Sequence, residues 1–361
     1  MRMVFSVLLA FLVFSFDTKF SITPYKFPEI KIFPKMPVSE MNPVTIEGVN
    51  LGRYLFYDPI LSIDSSMSCA TCHIQKFAFS DSPNAYSKGR NGTKSKRNTM
   101  PLFNLAWHPA YFWDGRAKSI EEQIFHPVRD YNEMNLEWKV AVSRLKKNKF
   151  YQPKFIKAFG NTNIDSVQIA YSIAQFLRTL ISYQSKYDQV VNGKSFFSKD
   201  EYEGFILAND QTKGDCIHCH ITDGDALGTT LAFSNNGLDF VTNPNNYIDK
   251  GRGAITGKTM DNGKFMVPSL RNLAFTAPYM HDGRFKTLEE VVDFYSEGIK
   301  PSVNIDTKME FAHQGGAKLK SEDRKKIIAF LKTLSDSSFV ANYEFENPFK
   351  NKLKSKNENS R

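Results

Sequence analysis

Apolar residues along most of the chain recur every three to four positions, a spacing that predicts helices. The clearest stripe follows Asp165 and runs through Val167, Ala170, Ile173, Ala174, Leu177, Leu180 and Ile181, with an expected end near Tyr187. Ser119 and Thr287 each stand three residues before a glutamate, Glu122 and Glu290, so each reads as the N-cap of a helix with a capping box. Ser198 with Glu201 opens another helix, and Ser321 precedes Ile327, Ile328, Leu331 and Leu334, a last helix. No segment alternates convincingly with a period of two, so the expected fold class is all-α.

The pattern also repeats. Asn104-Leu105-Ala106 through Tyr111, Asp114-Gly115-Arg116 and Glu121-Glu122 matches Asn272-Leu273-Ala274 through Tyr279, Asp282-Gly283-Arg284 and Glu289-Glu290 without a gap. Agreement over about twenty residues points to an internal duplication. A Gly- and Asn-rich insertion in the second copy, from about Asp223 to Gly263, reads as loop. With 361 residues and 41% hydrophobic composition, the chain can bury two modest cores.

Each copy follows a Cys-x-x-Cys-His motif, Cys69-Cys72-His73 and Cys216-Cys219-His220, and together they use all 4 cysteines. This spacing is the attachment signature of c-type haem: each thiol adds across a porphyrin vinyl group, and the histidine becomes the proximal iron ligand. A zinc site would need four convergent ligands, whereas these pairs lie about 150 residues apart. A thioredoxin-like redox pair needs no following histidine. Two covalently bound c-type haems are therefore expected. The apolar run Met3 to Phe16 behind Arg2 has the length of a signal-peptide core, and an uncleaved anchor is the alternative. Bacterial c-haem is attached outside the cytoplasmic membrane, so a periplasmic location is expected. The net charge of +9 partly reflects the polar tail Lys350 to Arg361 and carries no sign of nucleic-acid binding.

The duplication lets the two iron sites be compared. Leu288, Val291, Val292 and Tyr295 share one helix face, directing Tyr295 toward the second core, and the repeat register places Pro127 at the corresponding position of the first copy. Proline offers no ligand. If Tyr295 reaches its iron, one haem is six-coordinate and the other open; the plainer reading is a buried core tyrosine.

These motifs, with Leu51-Gly52 through Phe56-Tyr57-Asp58, Phe112-Trp113-Asp114-Gly115-Arg116-Ala117, Glu133-Met134-Asn135, Leu270-Arg271-Asn272 and Thr276-Ala277-Pro278-Tyr279-Met280-His281, resemble the bacterial di-haem cytochrome c peroxidase family, including its MauG-like members. The similarity runs from about Asn50 to Leu334. The resemblance implies that the His73 haem binds peroxide and the His220 haem transfers electrons. It makes Trp113 the tryptophan between them, and Gln123, Pro127 and Glu133 the distal pocket, with Glu133 as the acid/base. Without the resemblance Glu133 would read as a solvated helix-end charge. The resemblance also implies a calcium ion held by the Asn98 side chain and the carbonyls of Thr276 and Pro278.

Two departures stand out. Many family members carry a histidine that caps the peroxide-binding iron, in the loop corresponding to Ser87 to Asn98; here that loop has Arg90 and no histidine. Tyr295 stands where most members have a methionine ligand and MauG-like members a tyrosine, with Met266, Met280 and Met309 as alternative ligands. The expected domains are 1–20, signal peptide or anchor; 21–43, extended leader; 44–190, peroxidatic haem domain; 191–338, electron-transfer haem domain; and 339–361, a tail with a disordered end. The main functional expectation is reduction of hydrogen peroxide to water, with electrons from a cytochrome c or similar small donor protein through the second haem. The alternative is MauG-like, peroxide-dependent oxidation of a protein or organic substrate through a high-valent di-haem state. A non-enzymatic di-haem electron carrier is the third reading, and a homodimer is the family's common assembly.

Overall fold

The computed structural model describes residues 21–37, 39–221 and 227–350. The apolar run at 3–16 and the end of the tail, 351–361, lie outside the described residues. The fold is all-α, apart from a two-residue antiparallel pairing of Phe233–Ser234 with Phe265–Met266.

Two helical lobes share one construction. In the first, helix Ile46–Tyr57 crosses helix Ser166–Thr179, burying Leu51, Leu55 and Phe56 against Ile169, Ile173 and Phe176. In the second, helix Lys199–Asn209 crosses helix Ser321–Thr333, with Ala208, Ile327, Phe330 and Leu331 in the core. Each crossing depends on a glycine. A Cβ at Gly52 would lie 1.8 Å from the Ser172 carbonyl oxygen, and one at Gly204 1.9 Å from that of Lys326.

The duplication is visible in the backbone as well. Asn104 and Asn272 both adopt left-handed φ, 55° and 62°. Tyr111 and Tyr279 donate their hydroxyls to the carbonyls of Leu105 and Leu273, at 3.0 and 2.7 Å. The two repeat asparagines meet at the seam between the lobes: Asn104 Nδ2 donates to the Ser182 carbonyl (3.1 Å) and Asn272 Nδ2 to the Ser182 hydroxyl (3.0 Å). Arg271 is fully buried beside Asp188, donating to it at 2.9 Å through Nη1.

Several elements differ from expectation. The stripe after Asp165 ends at Thr179 rather than near Tyr187, because the Leu180 carbonyl turns out to accept from Asn104 N–H (2.8 Å), and a separate helix follows at Lys186–Val191. Ser119 caps its helix, but Glu122 reaches the Lys118 amide instead of closing a box onto Ser119. Ser321 is the first helical residue, with Lys320 at the cap. The helix capped by Thr287 is α-helical only over Leu288–Asp293 and widens into a π-turn over Phe294–Gly298. There the carbonyls of Tyr295 and Ser296 accept from Ala317 and Lys318 amides at 3.1 and 2.9 Å, a pairing that a regular helix would forbid.

The chain ends form crossed straps. Phe33, from the expected leader, is buried in the second core, with Phe27, Ile30, Ile32 and Met36 packed beside it. The expected tail, 339–361, starts inside helix Ser337–Val340, and its Phe339 and Phe345 are buried in the first core.

Candidate active site

The first haem motif is one turn of helix. Cys69–Cys72 starts after Ser68, whose N–H donates to Thr71 Oγ1 at 2.9 Å. This turn sets the two thiols three residues apart on one face, with His73 directly below as the C-cap. Ala78 and Phe79 adopt left-handed φ of 51° and 59°, aiming the Phe79 carbonyl at His73 Nδ1, 2.8 Å away. Nδ1–H is then the donor and Nε2 is left with its lone pair free, the tautomer a metal requires. Burial holds His73 below its ordinary proton affinity, hence neutral.

In the second motif, His220 N–H bonds back to the Cys216 carbonyl at 2.8 Å, and burial pushes the ring down to about 4. The backbone at Gly228 and Pro268 lies close to the ring, yet buried Nδ1 falls outside hydrogen-bond geometry with any partner. A neutral buried imidazole with an orphaned nitrogen is costly in an ordinary core. All four thiols are free despite their close spacing, and burial pushes those of Cys69, Cys72 and Cys216 up to about 12. Protonated paired thiols beside a neutral imidazole form the donor set that covalent haem attachment uses, so the residues fit the group.

The distal candidates of the first site come from one helix and the turn after it. Gln123 and Pro127, one helical turn apart, are both half-buried on helix Ile120–Arg129. The chain then folds back: Met134 N–H donates to the Pro127 carbonyl (3.2 Å) and Leu136 N–H to that of Val128 (2.7 Å). This lacing returns Glu133 toward the helix that carries Gln123 and Pro127. Burial, reinforced by Asp130, pushes the Glu133 carboxyl up to about 7, while Arg116 opposes the rise. The Glu133 charge in turn raises the proton affinity of both Cys69 and Cys72, so it acts on the first motif. Arg116, present in the sequence both in the repeat and in the Phe112–Ala117 motif but without an expected role, lies over Phe112 with its guanidinium carbon 3.4 Å from the ring centroid.

The Ser87–Asn98 loop is a small hairpin, with Ser95 N–H bonded to the Ser87 carbonyl at 2.9 Å. Thr93 Oγ1 donates to the Asn132 carbonyl (3.1 Å), and Arg90 lies over Tyr131 at 5.7 Å, so the hairpin is pinned against the Glu133 turn. Of the histidines outside that loop, His108 stacks on Tyr111 and His126 meets Phe112 edge-on.

Trp113 is buried at the junction of the two halves. Its Nε1–H donates to the Asn98 carbonyl (2.8 Å), and its own carbonyl accepts from Met266 N–H (2.8 Å). Asn98 N–H donates to the His281 carbonyl at 2.7 Å, which brings it to the segment holding Thr276 and the cis Ala277–Pro278 bond. Among the described residues no group of three or more His, Cys, Asp or Glu could hold a metal ion, so a cation at Asn98, Thr276 and Pro278 would depend on amide and backbone oxygens.

Around the second motif a small cluster buries Leu238, Phe294, Ile299 and Ala312, with Tyr295, Met280 and Met309 packed against it. Met266 is instead buried in the short strand beside Trp113. Tyr295 Oη accepts from Asn236 Nδ2 at 3.0 Å, while burial pushes the phenol up to about 12. Charge at Cys219 and Cys216 adds to that rise, which couples Tyr295 to the second motif. Asn236, inside the Asn-rich insertion, was not a candidate from sequence, because one asparagine among many in a loop carries no periodic or motif signal.

Residues 46–195 match the family described as di-haem cytochrome c peroxidase. The methylamine utilization protein MauG of Methylophilus methylotrophus is 32% identical over 301 residues, 83% of this chain and 85% of that protein. A cytochrome c551 peroxidase of Nitrosomonas europaea is 32% identical over 304 residues, 84% of each chain. The crystal structure of a MauG-like protein associated with microbial copper homeostasis superposes with a TM-score of 0.83 at 31% identity, covering 90% of this chain and 100% of that one.

Proposed function

Because this chain belongs to the di-haem cytochrome c peroxidase family, we propose that it reduces hydrogen peroxide to water on the Glu133 side of the first haem, with electrons entering through the second. The protein is a peroxidase-type oxidoreductase that carries two covalently bound c-type haems. Cys69, Cys72 and His73 would hold the first haem, which would supply the redox chemistry and the position at which peroxide binds. Glu133 takes the proton from one peroxide oxygen and returns it to the other, which leaves as water. A carboxyl poised at about 7 can do both near neutral pH. Gln123, one turn before Pro127, orients the peroxide, and Pro127 leaves that side without a ligating side chain. Trp113, bonded to both halves of the chain, carries electrons between them.

The reading rests on one observation: a half-buried carboxyl, returned to the Gln123–Pro127 helix by the bond from Met134 N–H to the Pro127 carbonyl, whose proton affinity burial raises. Its test is rapid mixing of the oxidised holoprotein with stoichiometric peroxide. Wild type is expected to react at once, and Glu133→Gln to react about 10²–10⁴-fold more slowly with both haems retained. An unchanged rate would remove Glu133 from the chemistry. Reaction only after half-reduction would contradict an open first iron.

Tyr295 favours a second, MauG-like reading of where the oxidising equivalents go. As an anionic oxygen ligand of the second iron it would favour the oxidised state and make that haem a poor acceptor from a high-potential cytochrome. With no histidine in the 87–98 loop to hold the first iron in reserve, the equivalents then pass to a protein or organic substrate. Tyr295→Met should raise the second haem's potential in a redox titration; an unmoved potential rejects tyrosine as the ligand. A calcium ion at Asn98, Thr276 and Pro278, and a location outside the cytoplasmic membrane, complete the proposal. Among the described residues no helix is long and apolar enough to cross a membrane.

A further inference from the structure

Three side chains able to ligate iron, Tyr295, Met280 and Met309, pack against the same small cluster, and the first two also share a hydrogen-bond donor. A single amide nitrogen serves both. Asn236 Nδ2 lies 3.0 Å from Tyr295 Oη and 3.7 Å from Met280 Sδ, within donor reach of both competitors.

The amide is held in place from both sides. On one side, Asn235 Nδ2 donates to Tyr247 Oη (2.7 Å), and the Asn235 carbonyl accepts from Asp306 N–H (2.9 Å). On the other, Gly237 has a φ of 73°, and a Cβ there would lie 2.8 Å from both Ile299 Cγ2 and the Lys300 carbonyl oxygen. The Gly237 carbonyl is itself bonded by Lys300 N–H at 2.9 Å. Met280 sits at a φ of 74°, a left-handed conformation that a non-glycine residue holds only when its surroundings impose it.

We propose that Asn236 is the positioning residue that makes tyrosine, rather than methionine, the ligand of the second haem. The discrimination follows from acceptor chemistry. A metal-bound phenolate oxygen keeps lone pairs for a hydrogen bond, and an N–H bond to an anionic oxygen is short and charge-assisted. A thioether sulfur is a weak acceptor, so the same donor stabilises it far less. The amide therefore lowers the free energy of the oxygen-ligated arrangement selectively, while its fixed backbone keeps the weaker acceptor Met280 beside the same nitrogen. The inference rests on the reading that Tyr295 ligates the iron, and deepens it.

The test uses the holoprotein and reads second-haem ligation by electron paramagnetic resonance and near-infrared magnetic circular dichroism. Tyr295→Phe comes first: an unchanged second-haem signal there defeats tyrosine ligation itself. Given that ligation, Asn236→Ala should convert part of the signal to histidine–methionine ligation and shift the second haem's potential upward. Asn236→Leu, which preserves the side-chain shape and lacks the donor, should do the same, so a variant that folds poorly leaves a second probe. Adding Met280→Leu to either should abolish the methionine signal. A wild-type signal in the Asn236 variants overturns the proposal, as does a new signal that survives Met280→Leu.

Discussion

Glu133 shows how a local fold tunes one proton. The carboxyl lies on a turn laced back onto its own helix, and burial lifts its proton affinity while Arg116 pulls it down. Its ability to accept a proton grows as pH rises through about 7, so the rate of peroxide capture should rise over that range and flatten above it. Stopped-flow rates across pH should show this limb in wild type and lose it in Glu133→Gln. Arg116→Gln removes the opposing cation from above Phe112 and should move the limb to higher pH. A limb that stays in place would mean that Arg116 does not govern the carboxyl.

At the scale of elements, the glycine at each helix crossing carries much of the geometry. Gly52→Ala forces a methyl group into the Ser172 backbone and should cost about 1–3 kcal/mol, read as a lower denaturant midpoint with haem content unchanged. Gly204→Ala should do the same in the second lobe, against Lys326. The features legible in the sequence were the local ones. Haem motifs, the caps at Thr287 and Ser198 and the repeat register are set by residues a few positions apart. What was hidden depends on distant partners. The stop at Thr179 depends on Asn104, and the π-turn at Tyr295 depends on the amides of residues 317 and 318. The role of the insertion depends on Asn236 meeting a tyrosine 59 positions away. Glu133 followed the same rule: its charge pattern resembles a solvated helix end, and the fold-back at Pro127 takes it partly out of solvent.

Across the whole molecule, the two lobes share a polar seam. Behind it, among second-lobe residues such as Tyr187 and Phe33, Arg271 and Asp188 are both almost completely buried, with side-chain exposures of 0% and 2%. Arg271→Ala strands the Asp188 charge and should cost about 3–5 kcal/mol, measurable by equilibrium unfolding of the holoprotein followed at the haem absorbance. A loss confined to the range of an exposed ion pair, below about 1 kcal/mol, would show that water reaches the pair. Ending the chain after Asp336 should expose the first core by removing Phe339 and Phe345, and amide exchange should then accelerate in Ile46–Tyr57 before Lys199–Asn209.

The crossed straps also impose an order of assembly. Phe33 can be sealed only once the second lobe exists, and the first lobe gains its closing aromatics, Phe339 and Phe345, only after almost everything else has been made. Cys69 and Cys72 pack against the core that those late aromatics close, so a chain lacking them would leave the first thiol pair in a cradle with one wall missing.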